Sequence, residues 1–119
     1  MEKVAIDTSF LIFMIKRKIE MSRMNELFSG PIELYTNQGV INELLNIKNS
    51  ERSNSPYANL SLKLIDKLKI RIEENEDVPD DWLLKQKNIA TVDIPLSKKA
   101  VDLGVRVINI TKSNKIVLR

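Results

Sequence analysis

Asp7 closes the apolar run Val4-Ala5-Ile6 and leads into Thr8-Ser9, while Asp93 closes Asn88-Ile89-Ala90-Thr91-Val92. In a parallel sheet the carboxyl ends of neighbouring strands face one crevice, so two such acids can meet there despite their separation in sequence. Two further acidic positions fall at helix-compatible places: the pair Asp80-Asp81 before Trp82-Leu83-Leu84, and Glu43 within the spacing Val40, Ile41, Leu44, Leu45. Oxygen-only ligands suit Mg²⁺ or Mn²⁺. The corresponding chemistry is metal-assisted hydrolysis, in which one or two ions, about 4 Å apart if two, acidify an attacking water and stabilise a phosphodiester transition state. The chain has no histidine and no cysteine. Thiolate metal sites, disulfides and the usual imidazole base are therefore excluded.

The acids need a scaffold, and the 119 residues suffice for one domain, 1–119, with one sizeable core. Hydrophobic residues at 43% and charged residues at 29% describe a folded chain rather than a disordered one. The longest apolar stretch, Phe10 to Ile15, is far short of a membrane span, and the amino terminus runs into a strand without a cleavable site. No membrane association is expected, and a cytoplasmic location is. The net charge is +3. Its distribution is uneven: Glu73 to Asp81 holds six acids and no base, whereas Ile94 to Arg119 carries six bases against Asp102. An acidic pocket beside a basic tail fits a metal-dependent enzyme acting on a polyanion. A solvated charged surface is the alternative.

Periodicity and breakers predict strands at Glu2 to Ile6, Ile32 to Thr36, Ile70 to Ile72, Asn88 to Val92 and Arg106 to Ile110, with Ile116 to Leu118 as a possible addition. Helices are predicted from Ser9, from Ser22 to Phe28, from Asn37, through Leu60, Leu64, Ile65 and Leu68 on one face, from Asp80, and from Ser97 to Leu103. The polar stretch Asn49 to Pro56 reads as a loop. Alternation of this kind predicts an α/β fold, a three-layer α/β/α arrangement around a mostly parallel five-stranded sheet.

The order of motifs resembles the PIN-domain ribonucleases. Val4-Ala5-Ile6-Asp7-Thr8-Ser9 is similar to the amino-terminal hallmark of that family, Val40-Ile41-Asn42-Glu43-Leu44 to its second, Val78-Pro79-Asp80-Asp81-Trp82-Leu83 to its third and Ala90-Thr91-Val92-Asp93 to its fourth. Within the family the chain most resembles small stand-alone archaeal members related to the small-subunit ribosomal RNA processing nuclease. The resemblance implies that Asp7, Glu43, Asp80 and Asp93 are catalytic and hold Mg²⁺ or Mn²⁺, that single-stranded or ribosomal RNA is the substrate, and that the protein can form a homodimer. Fewer residues separate Asp80 from Thr91 than the family usually has, so Asp80 and Asp81 are alternatives for the third acid.

Each position also has a plainer reading. Asp7 and Asp80 could be helix caps, Asp93 a turn acid before Pro95, and Glu43 a solvated helix residue. Thr8, Ser9 and Thr91 are hydroxyls that could orient carboxylates or contact phosphate. Lys16, Lys98, Lys99 and Lys112 could bind backbone phosphate or be ordinary surface. Trp82 reads as core rather than as a stacking platform. Two other functions stay open: an RNA-binding or assembly protein with an impaired site, and a ribonuclease toxin paired with a protein antitoxin.

Overall fold

The computed structural model describes all 119 residues. Six strands form one sheet: β1 (Glu2–Ile6), β2 (Ile32–Asn37), β3 (Arg71–Glu73), β4 (Asn88–Ala90), β5 (Arg106–Ile110) and β6 (Ile116–Leu118). Their spatial order is β3-β2-β1-β4-β5-β6, and every pairing is parallel except that of β5 with β6. The sheet thus has one strand more than the five expected. The sixth arises because Thr111 to Lys115 closes a tight turn, with Thr111 N–H donating to the Lys115 carbonyl, and folds the chain back antiparallel on β5.

Five helices connect the strands: α1 (Thr8–Arg17), α2 (Gln38–Asn49), α3 (Ser55–Lys67), α4 (Pro79–Leu83) and α5 (Ile94–Asp102), with a 3-10 turn over Met21–Leu27 where an α-helix was expected. The result is the three-layer α/β/α class. The chain first travels from β1 outward through β2 to β3, then returns to place β4 on the other flank of β1. The order therefore reverses between β1 and β4, and in open α/β sheets that reversal opens a crevice at the carboxyl ends of the two strands. Asp7 follows β1 there, and Thr91 to Asp93 follow β4.

The central strands are apolar because both faces are covered. Val4, Ala5, Ile6, Ile89, Ala90, Val107 and Ile108 are all fully buried, and Phe10, Leu11, Leu44 and Leu83 pack against them. Trp82 belongs to this core, as expected; its ring meets Tyr35 edge-on at 5.7 Å and its indole N–H donates to Glu73 Oε1. The buried face of α3 differs from the expected leucine row. Ala58, Ser61 and Ile65 are buried, whereas Leu60 and Leu68 are 46% and 45% exposed. Small residues at Ala58 and Ser61 let α3 seat closely against α1 and α2, which turns the leucine row toward the rim. No helix is long and apolar enough to cross a membrane.

Candidate acidic site at the strand reversal

Asp7 occupies the N-cap position of α1, yet its side chain makes no capping bond. Its Oδ2 instead accepts from the Ser9 hydroxyl at 2.8 Å and from the Thr91 hydroxyl at 2.8 Å. No protein hydrogen bond reaches Oδ1. Both hydroxyl protons are committed to the carboxylate, so the 3.2 Å approach of Ser9 Oγ to Thr91 Oγ1 is a close contact between acceptors that share one target. Ser9 Oγ in turn accepts from Val92 N–H and Thr91 Oγ1 from Asp93 N–H. The segment after β4 is thereby tied to the start of α1, which fixes the mouth of the crevice.

Asp7 is buried, and its pKa is raised above the ordinary aspartate value. Desolvation is the largest cause; the hydrogen bonds from Thr91 and Ser9 oppose it, and the charges of Glu43 and Asp80 push it up further. The Asp7 carboxyl thus feels the charges of both Glu43 and Asp80. Glu43, Asp80 and Asp81 are exposed, and their carboxylates take part in no hydrogen bond or ion pair. Asp93 joins this network through its backbone, its N–H donating to the Thr91 hydroxyl oxygen that itself bonds Asp7. Its Oδ1 caps α5 by accepting from Leu96 N–H at 3.0 Å, which starts that helix at Ile94 rather than at Ser97. The plainer reading of Asp93 as a structural acid is thus satisfied, while its second oxygen is left uncommitted. No three carboxylates stand close enough together to form a ready ion site.

Loss of one hydroxyl should be visible in titration. Hydrogen bonds to the ionised form lower a carboxyl pKa, so Thr91→Val is expected to raise that of Asp7 further, and Ser9→Ala to do the same by less. Carbon-detected NMR titration of the Asp7 carboxyl checks this. An unchanged midpoint in Thr91→Val contradicts the assigned bond.

Position of the third acid depends on a network that the sequence did not reveal. Fully buried Asn37 accepts the α2 capping bond from Val40 N–H at Oδ1, and its Nδ2 donates to Asn75 Oδ1 and to the Asp77 carbonyl. Gln38 N–H donates to the Asn75 carbonyl, and Asn42 Nδ2 to Glu76 Oε1. These bonds hold the acidic 75–77 segment, and with it the start of α4, against the amino end of α2. Gly39 makes the approach possible, since a Cβ there would lie 2.3 Å from the Asp77 carbonyl oxygen. A glycine in the first turn of an otherwise helical pattern was the one available signal.

The expected basic residues divide. Lys16 lines a groove that it shares with Thr8, Ser9 and Glu43. Lys98 and Lys99 lie exposed on α5, and Lys112 in the β5–β6 turn. Sequence reasoning missed Asn54, which also lines the groove.

No family model matches the chain, and no curated protein matches it. Among solved structures it is similar to the PIN domain endonuclease Utp24, with a TM-score of 0.77 and 18% identity over 98% of this chain and 90% of that one. It is also similar to a domain of a functionally unknown protein from Methanocaldococcus jannaschii, with a TM-score of 0.69 and 17% identity over 98% of this chain and 96% of that one.

Proposed function

We propose that this chain, which has the PIN-domain fold, is a metal-dependent endoribonuclease that hydrolyses phosphodiester bonds of single-stranded RNA, with ribosomal RNA processing as its setting. The observation that carries the reading is Asp7: a buried carboxylate oriented by two hydroxyls through one oxygen, flanked by the charges of Glu43 and Asp80 and paired with no cation. Burying uncompensated negative charge is costly, and a bound divalent cation offsets it. The donor set is made of carboxylate and hydroxyl oxygens, which fits Mg²⁺ or Mn²⁺. The likeness to an endonuclease supports the same reading.

Asp7, Glu43, Asp80 and Asp93 would hold the ion. When bound, it supplies acidification of water and neutralisation of charge on the phosphate. Thr91 and Ser9 hold Asp7 through Oδ2 and leave Oδ1 without a protein hydrogen bond. Exposed Glu43 and Asp80 are free to swing inward, because nothing holds their side chains. The second reading, an RNA-binding or assembly protein with an impaired site, is favoured by the lack of a ready cluster and by the five residues of α4.

Cleavage of a labelled single-stranded RNA in Mn²⁺, with EDTA as control, separates the two. Glu43→Gln and Asp80→Asn are expected to lower the rate at least tenfold, on the scale of groups that tune metal ligands. Asp81→Asn is expected to leave it nearly unchanged. Asp93→Asn keeps the helix cap, because asparagine also caps well, so a rate loss without a stability loss assigns Asp93 to the ion. Metal-independent or absent cleavage in the unsubstituted protein would sink the enzyme reading.

A further inference from the structure

The groove beside the acids has features that ion binding leaves unexplained. It runs along α1 toward the start of α3, with a volume of about 360 Å³, within the range of small-ligand sites. Ile12, Phe13 and Ile47 give it an apolar lining. Thr8 and Ser9 bring its near end to the Asp7 site, and Lys16 stands at its far end. The Lys16 ammonium is 5.7 Å from the centre of the Tyr57 ring and is paired with no carboxylate.

Two side-chain atoms in the whole chain are buried without a hydrogen-bond partner, Thr8 Oγ1 and Asn54 Oδ1, and both residues line this groove. Thr8 is only 3% exposed. Native folds rarely leave such groups unsatisfied, and a functional role is one of the standard reasons. Asn54 adds an oddity of its own. It holds the N-cap position of α3, where asparagine ordinarily accepts a backbone N–H, yet its amide makes no capping bond. That amide is left to serve the groove.

We infer that the groove between α1, α2 and α3 is the subsite for the nucleotide next to the scissile phosphate, with Lys16 on the following phosphate and Asn54 on the edge of the base. The assignment rests on the ribonuclease reading. Along α1, Ser9 and Lys16 are seven positions apart, about 10 Å at the helical rise. Helical side chains lean toward the amino terminus, so the Lys16 side chain reaches back along the groove toward the acids. Glu43 lines the groove and repels a bare phosphate, so Lys16 marks the anion-binding end. Ile12, Phe13 and Ile47 offer the base an apolar surface, and the unpartnered Asn54 Oδ1 and Thr8 Oγ1 supply the polar groups of the lining.

Binding can be read without turnover, by fluorescence anisotropy of fluorescein-labelled RNA hexamers in EDTA across a salt series. Lys16→Ala is expected to weaken binding about tenfold and to reduce the log–log salt slope by about 0.7, the value for one phosphate contact on a single strand. Asn54→Ala is expected to weaken it about fivefold with the slope unchanged and to alter the ranking among A, C, G and U hexamers. Lys3→Ala, exposed near the amino end of β1 and so at the opposite end of the strand from the crevice, should bind as the unsubstituted protein does. Asn54→Ala removes an unpartnered acceptor, so thermal melting should show no loss of stability. The subsite is overturned if Lys16→Ala and Asn54→Ala bind normally, if Lys3→Ala matches Lys16→Ala, or if the unsubstituted protein binds no hexamer. Normal cleavage in Mn²⁺ with those variants unaffected removes the subsite alone. Groove-dependent binding without any cleavage removes the nuclease reading, and with it the assignment beside a scissile phosphate, and leaves an RNA-binding groove.

Discussion

Asp7→Asn is expected to lower RNA cleavage at least a hundredfold and, at neutral pH, to make the fold more stable. The two effects share one cause. Asparagine keeps an acceptor oxygen for the Ser9 and Thr91 hydroxyls, so the local geometry survives, but the negative charge is gone. In the native protein that charge is desolvated and faces Glu43 and Asp80, which raises the Asp7 pKa in the folded state. The folded state therefore holds the Asp7 proton to higher pH than the unfolded chain does, and stability falls as pH rises between the two values. Below the ordinary value of 3.8 the carboxyl is protonated in both states, and the variant and the native protein should melt alike. Above the raised value the native protein carries the full cost, and the variant should melt several degrees higher. Melting curves at pH 3 and pH 7.5, without metal, measure the difference. A variant less stable at pH 7.5 would show that the charge is not under strain. Stability given up at one residue in exchange for activity is a familiar pattern at functional sites.

The second large effect comes from Gly39→Ala. Alanine in a helix is ordinarily favoured over glycine by up to about 1 kcal/mol. Here the new Cβ meets the Asp77 carbonyl oxygen at 2.3 Å, a backbone atom that cannot swing aside. Overpacking of this kind costs about 1–3 kcal/mol, so the net loss should be about 1–2 kcal/mol, on the order of 4–8 °C in Tm for a chain of this length. Relief of the clash requires the 75–77 segment to move, which breaks the bonds from Asn37 and displaces α4 with Asp80. Activity should therefore fall more than stability alone explains. Gly30→Ala is the control: nothing lies within 4 Å of a Cβ there. Equal melting temperatures for the two variants would contradict the close approach.

Much of this arrangement could be read from the sequence because it rests on local signals. A buried parallel strand is a run of apolar residues whatever surrounds it, and Asp7 at the end of Val4-Ala5-Ile6 marks the crevice by position alone. The helical placement of Glu43 and of the Asp80-Asp81 pair was legible from spacing, whereas their place in a site was implied by the family resemblance alone. The unread parts depend on distant partners. Asn37 meets Asn75 and Asp77 only after α2, α3 and β3 have folded between them. The dual position of Asp93 was half legible: proline two residues on suggested a turn, but the same geometry starts a helix at Ile94, where proline is tolerated in the first turn. The leucine row of α3 misled because periodicity identifies an apolar stripe without saying which neighbour covers it. Ala58 and Ser61 show that close helix packing selects small residues instead. Asn54 lay in a polar stretch whose composition announces a loop and conceals an unspent amide.

Carboxylates that stand apart in the free protein must be drawn together by the cation for the catalytic account to hold. Titration of the ¹⁵N-labelled protein with Mn²⁺, read as paramagnetic broadening of backbone amides, addresses that claim directly. The account predicts broadening that begins at Asp7, Ser9, Glu43, Asp80 and Asp93 at low ion concentration and disappears in Asp7→Asn. Broadening that begins instead along the exposed acids of 73–77, or that persists unchanged in Asp7→Asn, would contradict it.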